Sequence, residues 1–137
     1  MKSIAATLVT GTLVLGAGTT SAVAVHGSQP KMVKVTLKEM RVIPAAKQVS
    51  AGKITFVGKN AGSVVHELVI VKANGRTNLP VKNYKAQEGK GVIGEIEDVE
   101  PGTTKRVTLT LKRGKYLLIC NVTGHYQLGM RAILNVS

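Results

Sequence analysis

The chain has 137 residues, 44% of them hydrophobic, and carries 19 Lys and Arg against 7 Asp and Glu, a formal charge of +12. This length suits one small domain, and the apolar fraction excludes a disordered or collagen-like chain. Single-strand nucleic-acid binders stack bases on aromatic rings, whereas this chain has three Tyr, one Phe and no Trp. We therefore predict no nucleic-acid partner, and we interpret the charge as steering toward an acidic partner.

The number of cysteines limits the chemistry further. A single Cys excludes an internal disulfide framework, a site with two thiolates and the paired-Cys attachment of a c-type haem. That Cys is therefore a free thiol, an inert core residue or a metal ligand.

The first 24 residues have the order of a secretory signal peptide: Lys2, an interrupted apolar stretch from Ile4 to Leu15, and small residues ending at Ala24. The apolar stretch is shorter than the roughly 20 residues that a spanning helix needs. We predict that 1–24 is removed, leaving a flexible leader at 25–31 and one domain at 32–137 without an integral membrane span. The expected location is the periplasm or another extracytoplasmic compartment, with an uncleaved anchor as the alternative, and the expected state is a monomer.

Apolar and polar residues alternate in several short segments, which is the period of a half-buried strand. The first segment illustrates this, because Val33, Val35 and Leu37 alternate with Lys and Thr. Turn residues separate the segments at intervals of about ten residues, and no segment keeps a helical period, which indicates an all-β sandwich of about seven or eight strands. Strands are predicted at 32–42, 52–58, 64–72, 103–111, 115–120 and 130–136.

The segment 73–94 is polar and contains Asn-Gly, Pro80 and two Gly beside Lys90, so it is predicted to be a long surface excursion with one irregular helical turn. Acidic residues follow it at Glu95, Glu97, Asp98 and Glu100. Their turn-flanked setting favours a solvated patch over a carboxylate site.

Three potential metal ligands lie on one loop after the predicted strand 115–120. Cys120 ends that strand, and His125 and Met130 follow it in the run Cys120-Asn121-Val122-Thr123-Gly124-His125-Tyr126-Gln127-Leu128-Gly129-Met130. His66 stands on a separate strand, which a sandwich can bring beside the loop. Two imidazoles, one thiolate and one thioether are the ligands of a blue copper site, in which Met is a weak axial ligand. The combination therefore predicts copper binding.

These residues resemble the cupredoxins over most of 32–137. The resemblance rests on His66-Glu67-Leu68, on Gly114 to Cys120, on the ligand loop and on the closing run Gly129 to Val136. Four residues separate successive ligands of the loop, which is similar to rusticyanin and sulfocyanin-like members and longer than in plastocyanin. The resemblance implies a Greek-key β-sandwich with one type 1 copper ion, held by His66, Cys120, His125 and Met130. The chain departs from many relatives in having Glu67 where they have Asn, and in its few aromatic rings.

Simpler explanations exist for each ligand alone, because a lone buried Cys, His or Met commonly does no more than pack. The four together, in a chain predicted to be exported, favour copper. Zinc is disfavoured because a thioether is a poor zinc ligand, and His26 is interpreted as a leader residue rather than a Cu(II) site. The run Asn121-Val122-Thr123 matches a glycosylation acceptor, but a glycan there would obstruct the site, so we expect none.

The predicted function is that of a non-enzymatic, one-electron carrier working with an acidic redox partner, such as a cytochrome or a terminal reductase or oxidase. His125 is the expected exit for the electron, with Tyr126, Leu128 and Pro44 forming a small apolar patch around it. The alternative is a copper carrier or buffer that delivers copper to another exported protein. A copper enzyme is disfavoured because only His26 remains beyond the two predicted ligands, too few imidazoles for a second copper.

Overall fold

The computed structural model describes residues 31–137, so the predicted signal peptide and 25–30 of the predicted leader lie outside the described residues. Within that range there are eleven strands, eight of them with four or more residues, and one short 3₁₀ helix at Gly89–Gly91. No helix in this part of the chain is long and apolar enough to cross a membrane. The strands are β1 (Lys31–Lys38), β2 (Arg41–Pro44), β3 (Gln48–Val49), β4 (Gly52–Asn60), β5 (His66–Lys72), β6 (Val81–Lys82), β7 (Lys85–Ala86), β8 (Val92–Val99), β9 (Thr104–Leu111), β10 (Gly114–Ile119) and β11 (Arg131–Val136).

Two sheets form the Greek-key β-sandwich that the sequence predicted. One has four strands in the order β2-β1-β4-β9, and the other has five in the order β3-β11-β10-β5-β8. The strands β6 and β7 pair only with each other, as a small hairpin within the predicted excursion. Most neighbours are antiparallel, while β1 pairs with β4 and β3 with β11 in parallel.

The main core lies between the sheets and follows the alternation of the sequence. Val33, Val35 and Leu37 of β1 are at most 1% exposed and face Leu68 and Ile70 of the opposite sheet within one apolar cluster. Burying each such side chain contributes about 1.5–3 kcal/mol. The sandwich is therefore held mainly by the alternate positions that the sequence identifies.

A second apolar cluster covers the outer face of the five-stranded sheet. Leu79 and Ala86, from the excursion, pack there with Tyr126 of the predicted ligand loop. Buried on both faces, β5 and β10 carry continuous apolar runs rather than alternating ones. The excursion is thus part of the packed structure.

Two segments differ from the sequence prediction. The predicted strand 32–42 is a hairpin, in which Glu39 and Met40 form the turn between β1 and β2. Leu37 and Val42 both face the core, so the alternation changes parity at that turn. The acidic residues predicted as a turn-flanked patch are exposed as expected, but Glu95, Glu97 and Asp98 belong to strand β8, which pairs with β5.

The outer face of the four-stranded sheet is strongly basic, and we call it the basic face. Its outward positions on β1, β2, β4 and β9 are polar or cationic except for Met32, Ile43 and Val57, and none of these described positions is a carboxylate. Thr55 and Thr108 pair across two of its strands, with their hydroxyls 2.8 Å apart. The cations of the basic face, all exposed, are Lys34, Lys38, Arg41, Lys53, Lys59 and Arg106.

Candidate metal centre

The sheet brings two of the predicted ligands to one end of the sandwich. His66 is the first residue of β5, and Cys120 directly follows the last residue of β10. Because β5 and β10 are antiparallel neighbours, the start of one lies beside the end of the other. The loop between β10 and β11 then carries His125 back over the same end.

Three donor atoms form a compact triangle there. His66 Nδ1 lies 3.2 Å from His125 Nδ1 and 3.8 Å from Cys120 Sγ, and His125 Nδ1 lies 3.4 Å from that sulfur. The two rings meet edge to face, with centroids 5.1 Å apart. Both imidazoles therefore direct the same nitrogen, Nδ1, at one point beside the thiol.

The dimensions of this triangle suit a first-row transition metal. A point equidistant from all three donors lies about 2.0 Å from each, close to the 2.0–2.1 Å of zinc–imidazole bonds and slightly short of the 2.3 Å of zinc–thiolate bonds, two bond lengths that serve as a guide to a first-row divalent ion. The donor set of two imidazoles and one thiol matches a type 1 copper site. The residues present therefore fit the copper that the sequence predicted.

Met130 closes the loop. Its side chain is fully buried and belongs to the same apolar cluster as Cys120. Its backbone N–H donates to the His125 carbonyl at 3.1 Å, and its carbonyl accepts from the Cys120 N–H at 3.0 Å. These backbone bonds hold Met130 next to Cys120 and His125, so its thioether would be available as the fourth ligand that the sequence predicts.

The Cys120 sulfur is buried but accepts backbone hydrogen bonds. Burial raises the pKa of the thiol, while the N–H groups of Glu67 and Val122 lower it. The Glu67 N–H lies 3.4 Å from Sγ. The backbone N–H of residue 67 thus donates to the sulfur although the side chain there is Glu rather than the expected Asn. A metal cation that displaces the thiol proton would stabilise the thiolate further.

Both imidazoles are disposed to be neutral, the form that binds metal. Burial lowers the pKa of His66, and the nearby His125 lowers it further. The pKa of His125 is also lowered by burial, although this ring is partly exposed at the surface. Two uncharged rings can therefore share one small site without mutual repulsion.

Asn60 and Glu39, which the sequence analysis did not single out, hold the connection 61–65 between β4 and His66. The buried Asn60 amide donates to the carbonyls of Val64 and Val99, both at 2.7 Å, and its oxygen accepts from the Gly62 N–H. Glu39, in the β1–β2 turn, reaches the same connection from the other side. The sequence signals neither role, because both depend on which strands become neighbours.

Glu39 uses one carboxylate oxygen for several contacts. Its Oε1 accepts from the N–H groups of Ser63 at 2.7 Å and Val64 at 3.0 Å, and lies 3.4 Å from Nε2 of His66. Its own backbone N–H and those of Ser63 and Val64 lower the pKa of Glu39 to about 2. A carboxylate thus stands behind one of the predicted ligands.

The excursion is tied to the ligand loop through Asn121. The Asn121 amide exchanges two hydrogen bonds with the backbone of Ala86, at 2.7 and 3.0 Å, and donates to Glu88 Oε1 at 2.6 Å. The Gly124 N–H donates to the Tyr84 carbonyl. Because Asn121 is only 7% exposed, its amide is poorly placed to accept a glycan, in line with the sequence expectation.

The residues exposed around His125 are not all those of the predicted apolar patch. Leu128 is exposed as predicted, but Tyr126 is buried, and its hydroxyl accepts from the Leu79 N–H. Tyr84, 68% exposed on the β6–β7 turn, is the aromatic ring at the surface of the excursion beside the loop. Pro44 lines a groove with Ile43 and Arg131 instead.

Known proteins share this sequence pattern and this fold. A sequence model of the family described as "Cupredoxin-like domain" matches residues 7–130. Auracyanin A, titled a "blue" copper protein from Chloroflexus aurantiacus, is 29% identical with a TM-score of 0.59, over 80% of this chain and 100% of that chain. Auracyanin from Roseiflexus castenholzii is 21% identical with a TM-score of 0.58, over 81% and 99% of the two chains, and this likeness concerns the fold alone.

A relative of a different description also matches. The iron uptake system component EfeO of Yersinia pestis is 27% identical over 101 residues, which are 74% of this chain. The match spans only 23% of the length of EfeO. The chain is therefore similar to one part of that longer protein.

Proposed function

Because the chain belongs to the cupredoxin-like domain family, we propose that it binds one copper ion through His66, Cys120, His125 and Met130 and carries single electrons. The observation that carries this proposal is the triangle of two Nδ1 atoms and one sulfur, with edges of 3.2–3.8 Å. Copper, when bound, supplies the one-electron change between Cu(II) and Cu(I). No enzymatic activity is proposed.

The surroundings of the site suit electron transfer. His66, Cys120 and Met130 are completely buried, so the packed sandwich excludes water and restricts rearrangement between oxidation states. His125 alone of the four is partly exposed. An electron would therefore enter or leave by the edge of His125, beside the exposed Leu128.

The proposed partner is an acidic redox protein. The chain has an excess of 12 positive charges, and six exposed cations share the basic face. Long-range attraction of this kind accelerates encounter more than it strengthens the final complex. Copies of this chain would repel one another for the same reason, which supports a monomer.

An extracytoplasmic location remains part of the proposal. It is supported by the order of charge, apolar stretch and small residues within 1–24, a segment outside the described residues. The proposed domain organisation is a cleaved signal peptide at 1–24, a leader at 25–31 and a copper domain at 32–137, although Lys31, the last residue of the predicted leader, already pairs with β4 as part of β1.

A copper carrier or buffer is the second candidate function. The similarity to one part of EfeO, named as a component of an iron uptake system, supports it because that name describes metal uptake. The two functions differ in how firmly Cu(I) is held. An electron carrier should keep Cu(I) through repeated redox cycles in the presence of a competing chelator, whereas a delivery protein should lose it readily.

Optical and EPR spectra of the purified chain with Cu(II) test the proposed site. We expect an intense thiolate-to-copper absorption band that disappears reversibly on reduction and is absent from Cys120→Ser. Thr123→Ser, an exposed change on the same loop, is the matched control and should keep the band. Copper binding that is colourless in the wild type and unaffected by Cys120→Ser would contradict the ligand assignment.

A further inference from the structure

Glu39 occupies an unusual position relative to the proposed copper site. His66 directs Nδ1 at the donor triangle, so Nε2 points away from it, into the interior of the protein. This Nε2 is fully buried and makes no hydrogen bond within the described residues. The carboxylate oxygen of Glu39 lies beside it at 3.4 Å.

The chemistry of imidazole determines which atom is the donor in this contact. A neutral ring carries its proton on one nitrogen and offers the other as a ligand. A metal at Nδ1 of His66 therefore leaves the proton on Nε2, facing Glu39. The negatively charged carboxylate of Glu39 then lies beside this buried N–H as an acceptor.

The position of this charge is fixed from two sides. The N–H groups of Ser63 and Val64 both donate to the oxygen that faces His66. Asn60 holds the carbonyl of Val64 from the opposite side. Two backbone hydrogen bonds thus hold the carboxylate oxygen that lies beside His66.

We propose that Glu39 is the outer-sphere partner of His66 and that its charge sets the reduction potential of the copper site. This inference rests on the proposed copper function. When the metal-bound ring donates its Nε2–H to the Glu39 carboxylate, this hydrogen bond fixes the ring orientation and raises its basicity. The raised basicity of the ring and the negative charge itself both stabilise Cu(II) over Cu(I), so Glu39 lowers the potential.

The substitution Glu39→Gln separates charge from position. Gln keeps an oxygen that can accept from Ser63 and Val64, but it removes the negative charge. We expect the Cu(II)/Cu(I) potential to rise by the equivalent of a three- to tenfold change in the equilibrium constant, about 30–60 mV for one electron. Spectroelectrochemical titration of the copper-loaded full chain measures this shift.

A second readout reports on the ring directly. Electron spin echo modulation of the Cu(II) protein detects the remote nitrogen of each imidazole ligand, which for His66 is Nε2. We expect Glu39→Gln to change the coupling of one remote nitrogen and to leave the other unaltered. A purely structural role in holding the connection would not move this signal.

The control variant is Glu97→Gln, which removes the same charge from an exposed position on β8. Its potential should stay close to that of the wild type. Equal shifts in the two variants, with unchanged nitrogen couplings, would overturn the role of Glu39. A wild-type protein without the thiolate-to-copper band would instead overturn the proposed function, and this inference with it.

Glu39→Asp keeps the experiment decisive if the Gln variant does not fold. Asp retains the charge, but its side chain is one methylene shorter and places the charge farther from His66. The reduction potential should therefore rise by less than in Glu39→Gln. Thermal unfolding of the copper-free variants verifies that each is folded. A folded Glu39→Asp variant that keeps the wild-type potential but unfolds at a different temperature from the wild type would limit Glu39 to a structural role.

Discussion

At the scale of single residues, Met130 has two separable roles. Its backbone closes the ligand loop through bonds to His125 and Cys120, and these do not depend on the side chain. The side chain fills a completely buried position among apolar neighbours. Whether the sulfur also acts on copper can therefore be tested by a substitution that conserves volume.

We expect Met130→Leu to keep the thiolate-to-copper band and to raise the reduction potential, because the variant removes a weak sulfur donor that stabilises Cu(II). The rise should correspond to about a tenfold change in the equilibrium constant, or about 59 mV. Met32→Leu, at a Met that is 56% exposed, is the matched control. Equal potentials in both variants would indicate that Met130 only packs.

At the scale of elements, the β6–β7 hairpin acts as a support for the ligand loop. Asn121 bonds the backbone of Ala86, and Gly124 bonds that of Tyr84, so the loop is held on the hairpin side as well as by its own turns. Leu79 and Tyr126 extend this contact into an apolar cluster. The excursion thus limits the freedom of the segment that carries three of the proposed ligands.

Removing the Asn121 amide should loosen this support. We expect Asn121→Ala to destabilise the copper-free protein by about 1–3 kcal/mol, because the Ala86 N–H loses its buried acceptor. Copper should also leave the variant severalfold faster when a chelator is in excess. Chemical denaturation and stopped-flow release measure the two effects, and Asn135→Ala, at an exposed position of β11, should change neither.

The sequence predicted most elements because alternation reveals which side of a strand faces the core. It missed strand β8, where Glu95 and Glu97 share one exposed side and only Ile96 and Val99 are buried. The sequence could suggest Cys120, His125 and Met130 as ligands because they lie on one loop. Glu39 was not, since its contacts with Ser63 and His66 arise only when the β1–β2 turn meets the start of β5.

At the scale of the whole molecule, the basic face and the candidate copper site meet at one edge. Lys38 and Arg41 pair with each other on either side of the turn that contains Glu39. The carboxylate of Glu39 in turn contacts His66. Lys53 lies toward the opposite end of the basic face, next to the start of β4. The cations therefore lie at different distances from the site. Those nearer to it should accelerate encounter with an anionic partner more than those farther away.

Salt and charge reversal test this gradient. The second-order rate of reduction by the anion hexacyanoferrate(II) should fall as salt rises, and that by the cation hexaammineruthenium(II) should increase, because salt screens exposed charges. Lys38→Glu should slow the reaction with the anion more than Lys53→Glu does. Stopped-flow absorbance at the thiolate-to-copper band measures all of these rates, and equal slowing by both variants would contradict local steering.

The spacing of the proposed ligands along the chain has a consequence for folding. Cys120, His125 and Met130 lie within one loop, so they can approach one another in an unfolded chain, whereas His66 joins them only when β5 pairs with β10. The denatured ensemble should therefore retain some affinity for copper, and metal bound to that ensemble offsets part of the stabilisation of the native state. Copper should raise the unfolding free energy by less than its native affinity alone implies.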